Sequence, residues 1–138
     1  MRRNRLSLLV IATPMLLALG ACRHTSKLER FAQEARAFTE KQCPFNVDDY
    51  THLDSMTFDI ATCCYYYNYT VNGILDNDSV YTPEQGQRYR DMTLEEIRSS
   101  IQLREYKEAG LTLVFRYYSE QSGRLLAEYQ FTKEDYSN

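Results

Sequence analysis

The chain has 138 residues, 43% of them hydrophobic, and carries a formal net charge of −3 at pH 7. This length suits one domain with a single modest core and is too short for two. The acidic balance and the lack of any basic block disfavour nucleic acid and anionic lipid as partners, because both are bound through clustered Lys and Arg.

The first residues have the three parts of a secretory signal. The chain starts with Arg2, Arg3 and Arg5. An apolar run follows from Leu6 to Leu19, and it is shorter than the roughly 20 residues that a transmembrane helix needs. Residues 1–21 are therefore predicted to be a signal peptide that is removed.

The signal ends in Leu19-Gly20-Ala21-Cys22, which resembles the lipobox of bacterial lipoproteins. The resemblance implies that signal peptidase II cuts before Cys22 and that this cysteine carries diacylglycerol and a further acyl chain. Several acyl chains anchor a protein stably, since each buried methylene contributes roughly 0.8 kcal/mol. The implied partner is a membrane, and Arg23 after the cysteine favours the outer membrane, facing the periplasm, over retention at the inner membrane.

The mature part is more acidic than the whole chain. Removal of residues 1–21 takes away three of the sixteen basic residues and none of the nineteen acidic ones, which leaves a net charge near −6. We expect residues 22–26 to form a short lipidated tether, residues 27–134 a single α+β domain, and residues 135–138 a flexible tail. The short tether would hold the domain close to the membrane.

The first predicted element is a helix from Lys27 to Gln42. Ser26-Lys27-Leu28-Glu29 has capping-box spacing, which marks a helix start. The apolar residues that follow recur at helical intervals, and they are Leu28, Phe31, Ala32, Ala35 and Phe38.

Two strands are predicted next. The stretch from Leu53 to Ile60 suits a first strand, and residues 62–71 alternate between two faces. One face carries Cys63, Tyr65, Tyr67, Tyr69 and Val71, and the other carries Thr62, Cys64, Tyr66, Asn68 and Thr70. Asn72-Gly73 then begins a polar segment, residues 72–92, that we interpret as a surface loop.

A second helix and a β-hairpin complete the predicted elements. Thr93-Leu94-Glu95-Glu96 has capping-box spacing and Gly110 follows as a typical residue after a helix, so the helix is predicted from about Leu94 to Ala109. Residues 111–118 and 125–131 alternate as hairpin strands. Residues 133–138 are predicted to be frayed.

The order helix, two strands, helix, two strands favours an α+β, two-layer fold. Its sheet is predicted to have four largely antiparallel strands, with the two helices on one face. This arrangement leaves the other sheet face uncovered. We interpret four of its residues as a candidate partner-binding face: Tyr66, Asn68, Arg116 and Tyr118.

Three cysteines remain besides Cys22, in a compartment that permits disulfides. Cys43 precedes the strand that carries Cys63 and Cys64, and neighbouring strand residues point to opposite faces, so only one of the pair can reach Cys43. The apolar face of Cys63 favours a bridge between Cys43 and Cys63. A bridge to Cys64 instead, or no bridge, stays open.

No catalytic or metal-binding constellation stands out in the sequence. The cysteines form no C-x-x-C pair and His24 lies in the tether, so no metal and no cofactor are predicted. Only His52 is left as a general base, and no G-x-S-x-G turn accompanies it. The acidic pairs lack the other ligands of a calcium loop and are interpreted as solvated turn residues: Asp48 with Asp49, and Asp76 with Asp78.

The segment that starts at Cys43-Pro44 resembles small uncharacterised bacterial envelope proteins over roughly a third of the mature chain. The other residues of the likeness are Asp49, Thr51-His52-Leu53-Asp54-Ser55, Tyr65, Tyr67 and Tyr69. The sequence thus predicts a membrane-anchored, non-enzymatic lipoprotein that binds an envelope protein or peptide and no nucleic acid. The alternative is an inhibitor or immunity-type protein that acts on a periplasmic hydrolase or toxin.

Overall fold

The computed structural model describes the backbone of residues 21–137 and the side chains of residues 27–137. Residues 1–20 of the predicted signal peptide, and the side chain of Cys22 with its predicted lipid, lie outside the described residues. The elements are α1 (Ala21–Gln42), β1 (Phe45–Asn46), β2 (Thr51–Asp59), β3 (Cys64–Val71), α2 (Pro83–Ser99), α3 (Arg104–Glu108), β4 (Thr112–Ser119), β5 (Leu125–Phe131) and α4 (Lys133–Tyr136). Between residues 21 and 137, no helix is both long and apolar enough to cross a bilayer.

The five strands form one mixed sheet in the order β1-β2-β3-β4-β5. Neighbouring strands are antiparallel except β3 and β4, which are parallel, with Tyr65 opposite Leu113. A parallel pair requires a long crossover connection, and residues 72–111 supply it. The predicted α+β class is confirmed, and the sheet has one strand more than the four predicted. The additional strand, β1, has only two residues and so shows no alternation in the sequence.

Helix α1 packs on the sheet through the apolar stripe that its sequence predicts. Leu28, Phe31 and Ala35 are buried. Near its end, Thr39 Oγ1 accepts the Met56 amide hydrogen at 2.8 Å and donates to the Met56 carbonyl at 2.9 Å. These two bonds satisfy backbone groups at the edge of β2 that the short β1 does not reach. The helix also starts at Ala21 rather than Lys27, so the backbone of the predicted tether is helical.

The core between the helices and the sheet is built largely from aromatic rings. Tyr65 is fully buried and stacks on Tyr106 of α3, with ring centroids 4.7 Å apart. Phe58 and Tyr67 flank it at 5.8 and 5.3 Å. Such tilted and offset pairs are favourable beyond the area that they bury. The face of β3 with the alternating tyrosines is therefore the buried face.

Helix α2 begins eleven residues before the predicted start, at Pro83 instead of Leu94. Thr82 Oγ1 accepts the Gln85 amide hydrogen at 3.3 Å, and Pro83 occupies the first helical turn, where its missing N–H costs nothing. Thr93, predicted as the capping residue, instead lies within the helix and is buried. The second half of the predicted surface loop 72–92 is thus helical.

The predicted helix from Leu94 to Ala109 is also interrupted. Helix α2 ends at Ser99, and the separate helix α3 spans only Arg104–Glu108. Gly110 follows with a φ of +71°, which is the left-handed conformation expected of glycine after a helix. The predicted end was therefore close, although the helix before it was not continuous.

Residues 133–136 form α4 where the sequence predicts a frayed end. Thr132 and Asp135 make a capping box, in which Asp135 Oδ2 accepts the Thr132 amide hydrogen at 2.7 Å. Tyr136 is buried and donates from its hydroxyl to the Leu111 carbonyl at 2.7 Å. One aromatic residue in a polar segment makes no periodic pattern, so the sequence did not reveal this anchor.

Asp135 should make stability depend on pH. Hydrogen bonds from the Thr132 amide and from Arg90 hold the pKa of its carboxyl below the usual value. Because the folded-state pKa is depressed, this stabilisation is complete above the unfolded pKa of about 3.9 and is lost as pH falls through the folded pKa. We expect Asp135→Asn to lower the free energy of unfolding by about 1 kcal/mol at pH 7.

Urea unfolding of both proteins at pH 7 and below about pH 3 measures this difference. It should shrink at the lower pH, and Asp91→Asn, which removes an exposed carboxylate on α2, should have little effect at either pH. An undiminished difference at low pH would mean that the aspartate side chain stabilises α4 by shape and not by charge.

Candidate functional site

The four residues predicted as a partner-binding face lie on the sheet face opposite the helices. The register places Asn68 beside Arg116 and Thr70 beside Tyr118. The Arg116 guanidinium lies over the Tyr66 ring, 4.2 Å from its centroid. The sheet thus brings Tyr66, Asn68, Arg116 and Tyr118 together as predicted from alternation.

The polar groups of this face already have partners within it. Arg116 Nε donates to Glu128 Oε2 at 2.7 Å, and this bond lowers the pKa of the Glu128 carboxyl. Asn68 donates to Ser55 Oγ at 3.1 Å. Groups that are paired in this way add little to recognition unless a partner replaces those bonds. Whether the face binds a partner stays a prediction.

A cleft of about 540 Å³ lies on the other face, between the sheet, α2 and the segment that follows β3. It sits at the end of the sheet where β2 begins and β3 ends. Its lining residues are Val47, Asp48, Thr51, Tyr69, Val71, Leu75, Val80, Tyr81, Gln85, Tyr89, Thr93, Glu96, Phe115, Tyr117 and Tyr129. None of the four residues of the predicted face is among them.

Large side chains set the distance between α2 and the sheet. Tyr89 of α2 and Tyr117 of β4 meet through a hydrogen bond between their hydroxyls. At the start of the helix, Gly86 faces Tyr129, and a Cβ there would lie 3.4 Å from the tyrosine hydroxyl oxygen. The tyrosines hold the helix off the sheet, which leaves the space open between them.

The tyrosine hydroxyls of the cleft are neutral at physiological pH. Burial raises the pKa of Tyr69 and of Tyr117 far above the usual value, and the neighbouring Tyr89 adds to this effect. Burial likewise raises the pKa of Tyr81 to about 12. A neutral phenol can both donate and accept a hydrogen bond, so the cleft offers a ligand both kinds of group without a charge.

Two carboxylates, Asp48 and Glu96, line the mouth of the cleft. Asp48 Oδ1 accepts the Tyr50 amide hydrogen at 2.8 Å, which fixes its orientation. The charge of Glu96 contributes, after burial and Tyr89, to the raised pKa of Tyr69. Within residues 27–137, neither carboxylate forms an ion pair.

Exposed apolar side chains stand around the same end of the domain. Val47 and Ile74 are 51% and 67% exposed, and Tyr50 is 40% exposed. The Tyr50 ring packs on Gly73, which has a φ of +55° and where a Cβ would approach the ring to 3.0 Å. We call Val47, Tyr50 and Ile74 the rim of the cleft.

His52, the candidate base, does not face a nucleophile. Its Nε2 lies 3.3 Å from Asp54 Oδ1, and the Thr70 hydroxyl donates to the other oxygen of the same carboxylate. A hydroxyl is activated as a nucleophile when it donates a hydrogen bond to the base itself. Here the Thr70 hydroxyl and the His52 ring both interact with the Asp54 carboxylate and not with each other. The three residues tie β2 to β3 beside the irregularity between Leu53 and Ser55.

The three cysteines whose side chains the structure describes, Cys43, Cys63 and Cys64, are free thiols. Cys43 lies near Asp54, whose charge, after burial, raises the pKa of the thiol. Cys63 follows the far end of β2, with Sγ 3.7 Å from the Ile60 carbonyl oxygen. The strand between Asp54 and Ile60 spans roughly 15 to 20 Å, whereas the Cα atoms of a disulfide lie within about 7 Å.

This separation does not favour the predicted bridge from Cys43 to Cys63, or one to the adjacent Cys64. Cys63 also lies in the turn between β2 and β3, with a φ of +54°, and not within the strand as predicted.

Among residues 27–137, no three His, Cys, Asp or Glu side chains group as metal ligands. Asp76 accepts the Gln121 amide hydrogen at 3.0 Å and Asp78 pairs with Arg124 at 2.6 Å, so these turn acids fasten the segment after β3 to the β4–β5 hairpin.

The sequence and the fold can now be compared with known proteins. The chain belongs to the family described as Domain of unknown function (DUF8479), which matches residues 26–127. No curated protein matches the sequence.

Three solved structures share the fold. The candidate secreted protein PA3611 from Pseudomonas aeruginosa is 13% identical, with a TM-score of 0.65 over 86% of this chain and 97% of that one. The type II secretion system pilotin AspS from Vibrio cholerae is 15% identical, with a TM-score of 0.58 over 83% and 97%. The type 2 secretion system pilotin EpsS from Vibrio vulnificus is 11% identical, with a TM-score of 0.60 over 83% and 96%. At these identities the likeness is one of fold.

Proposed function

We propose that the protein is a lipoprotein anchored through Cys22 in the outer membrane, facing the periplasm, and that its non-enzymatic domain binds a protein or peptide partner. The observation that carries the proposal is the cleft. A pre-formed concave site with apolar and aromatic walls and a few polar groups is the usual form of a binding site. The fold likeness to a candidate secreted protein and to two secretion-system pilotins supports a place in the cell envelope.

The direction of α1 puts the cleft away from the lipid. Phe31 packs against Phe58, with ring centroids 6.0 Å apart, and Thr39 bonds to Met56, so α1 runs antiparallel to β2. Its end therefore lies toward the start of β2, where the cleft is. At 1.5 Å per residue, the helix from Cys22 to Gln42 is about 30 Å long. A partner thus has access to the cleft while the lipid is in the bilayer.

Site-specific photo-crosslinking in living cells tests this proposal. A benzophenone amino acid at Ile74 on the rim should form a discrete adduct with one envelope protein. The same amino acid at Ile101, which is 80% exposed but does not line the cleft, should form none. Leu75→Trp, which fills the cleft, should abolish the Ile74 adduct.

Two results would contradict the proposal: no adduct at Ile74, or equal adducts at Ile74 and Ile101 that persist in Leu75→Trp. The identity of the adduct also separates the two functions that the sequence leaves open. A hydrolase or toxin in the adduct would indicate the inhibitor or immunity function, and any other envelope protein would indicate an interaction domain.

A further inference from the structure

Aromatic rings surround the cleft at several angles. The rings belong to Tyr69, Tyr81, Tyr89, Phe115, Tyr117 and Tyr129. Tyr69 and Tyr117 are stacked with centroids 5.0 Å apart, whereas Tyr89 meets Tyr117 edge to face, at an interplanar angle of 85°. The face of an aromatic ring attracts a cation within about 6 Å of its centroid.

The charges of the cleft have one sign. Asp48 and Glu96 are the charged residues that line it, without any Lys, Arg or His. Elsewhere in residues 27–137, nine carboxylates have a basic partner, and they are Glu34, Asp54, Asp78, Glu84, Glu95, Glu105, Glu108, Glu128 and Asp135. Two carboxylates without such a partner, beside neutral phenols, repel an anion and attract a cation.

On the basis of the proposed function, we infer that the cleft binds the lysine or arginine side chain of a partner segment whose neighbouring residues are apolar. The tyrosine rings and the two carboxylates bind the cationic group, and Val71, Leu75 and Val80 pack against its alkyl stem. The rim formed by Val47, Tyr50 and Ile74 contacts the apolar neighbours. The apolar rim indicates that the ligand is a peptide. A peptide has neighbouring residues that can cover the exposed rim side chains, whereas a free amine has none.

Nuclear magnetic resonance titrations test the inference with defined probes. The protein is the lipid-bearing chain, labelled with ¹⁵N and dissolved in an uncharged detergent. The probes are three acetylated and amidated tripeptides with leucine at both ends and lysine, norleucine or glutamate in the centre. The lysine peptide should give saturable shifts of cleft amides, such as those of Val71 and Thr93, and should bind about tenfold more tightly than the norleucine peptide.

Charge variants provide the matched control. Glu96→Gln should weaken binding of the lysine peptide by about fivefold and leave the norleucine peptide unchanged. Glu95→Gln changes the adjacent residue on α2, whose carboxylate lies outside the cleft and pairs with Arg98, so it should leave the affinity for both peptides unchanged.

The norleucine peptide could bind as tightly as the lysine peptide, with the shifts of the cleft amides lost in Leu75→Trp. This result would overturn the inference of a cation site but would leave the proposed binding function intact. Methylamine is titrated as a free-amine control. If it bound as tightly as the lysine peptide, the cleft would be a site for free amines, and this result would also overturn the inference. If none of the three peptides gave saturable shifts, the cation inference would also be overturned. The proposed function would then still be tested separately by crosslinking at Ile74.

Discussion

Replacing Tyr65 with alanine should lower the free energy of unfolding by about 3 to 5 kcal/mol. Tyr65 is fully buried where α1, α3 and β3 meet. Its neighbours cannot close the cavity that the ring would leave, because Phe31 and Tyr106 hold one another edge to face at 5.0 Å. A domain of this size has a total stability of about 5 to 15 kcal/mol, so this single change removes a large part of it.

Urea unfolding followed by circular dichroism measures this loss, and two variants serve as controls. Tyr65→Phe removes only the hydroxyl, whose bond with Tyr106 is long at 3.5 Å, and should cost about 1 kcal/mol or less. Tyr66→Ala changes the next residue, on the opposite sheet face, and should cost about 1 kcal/mol through loss of the Arg116 contact. Equal losses for the alanine variants at 65 and 66 would contradict the assignment of the two faces.

The correct parts of the predicted fold rest on strong periodicity. The apolar stripe of α1 repeats at helical spacing and is the stripe that packs on the sheet. The alternation in β3 separates Tyr65 and Tyr67, which are buried, from Tyr66 and Asn68 on the other face. The hairpin of β4 and β5 has the same kind of signal. Each of these patterns is local, so the sequence contains all that is needed to interpret it.

The missing parts of the fold depend on contacts between distant residues. The parallel pairing of β3 with β4 joins residues about 48 positions apart, such as Tyr65 and Leu113, and no local pattern encodes it. Helix α2 buries Thr93 beside Ile97, and Tyr89 also faces the sheet. The side of the helix that packs on the sheet is therefore less apolar than an amphipathic pattern requires. Thr82-Pro83 is the signal that could have placed its start, since a threonine cap before proline is typical of a first helical turn.

The candidate site was harder to predict than the fold for the same reason. The sequence correctly grouped Tyr66, Asn68, Arg116 and Tyr118 on one face, but it could not show that Arg116 pairs with Glu128. The cleft takes its lining from β2, β3, β4, β5, α2 and the segments after β1 and β3. Tyr81 and Tyr89, two aromatic residues in a segment predicted to be a polar loop, were the one local sign of it.

Cys22→Ala should abolish lipidation and cleavage together. The lipobox resemblance implies that signal peptidase II acts only on the lipidated precursor. The intact mass of the native protein, extracted from membranes, should therefore correspond to residues 22–138 with added acyl chains, and that of the variant to an unmodified chain that retains residues 1–21. A native mass without acyl chains would contradict the assignment of Cys22 and, with it, the anchor of the proposed function.

Retention of the apolar leader keeps the Cys22→Ala chain at the membrane, so fractionation of that variant alone is not informative. The same chain behind a leader cut by signal peptidase I should instead enter the soluble periplasmic fraction almost completely. Each lost acyl chain of about fourteen methylenes removes roughly 10 kcal/mol of membrane affinity, and the domain has a net charge near −6 with which it is repelled from anionic lipid. If this chain stayed with the membrane through a high-salt wash, a membrane-bound partner or an apolar surface of the domain would have to hold it there. Loss of this attachment in Leu75→Trp would identify the cleft as the surface that binds.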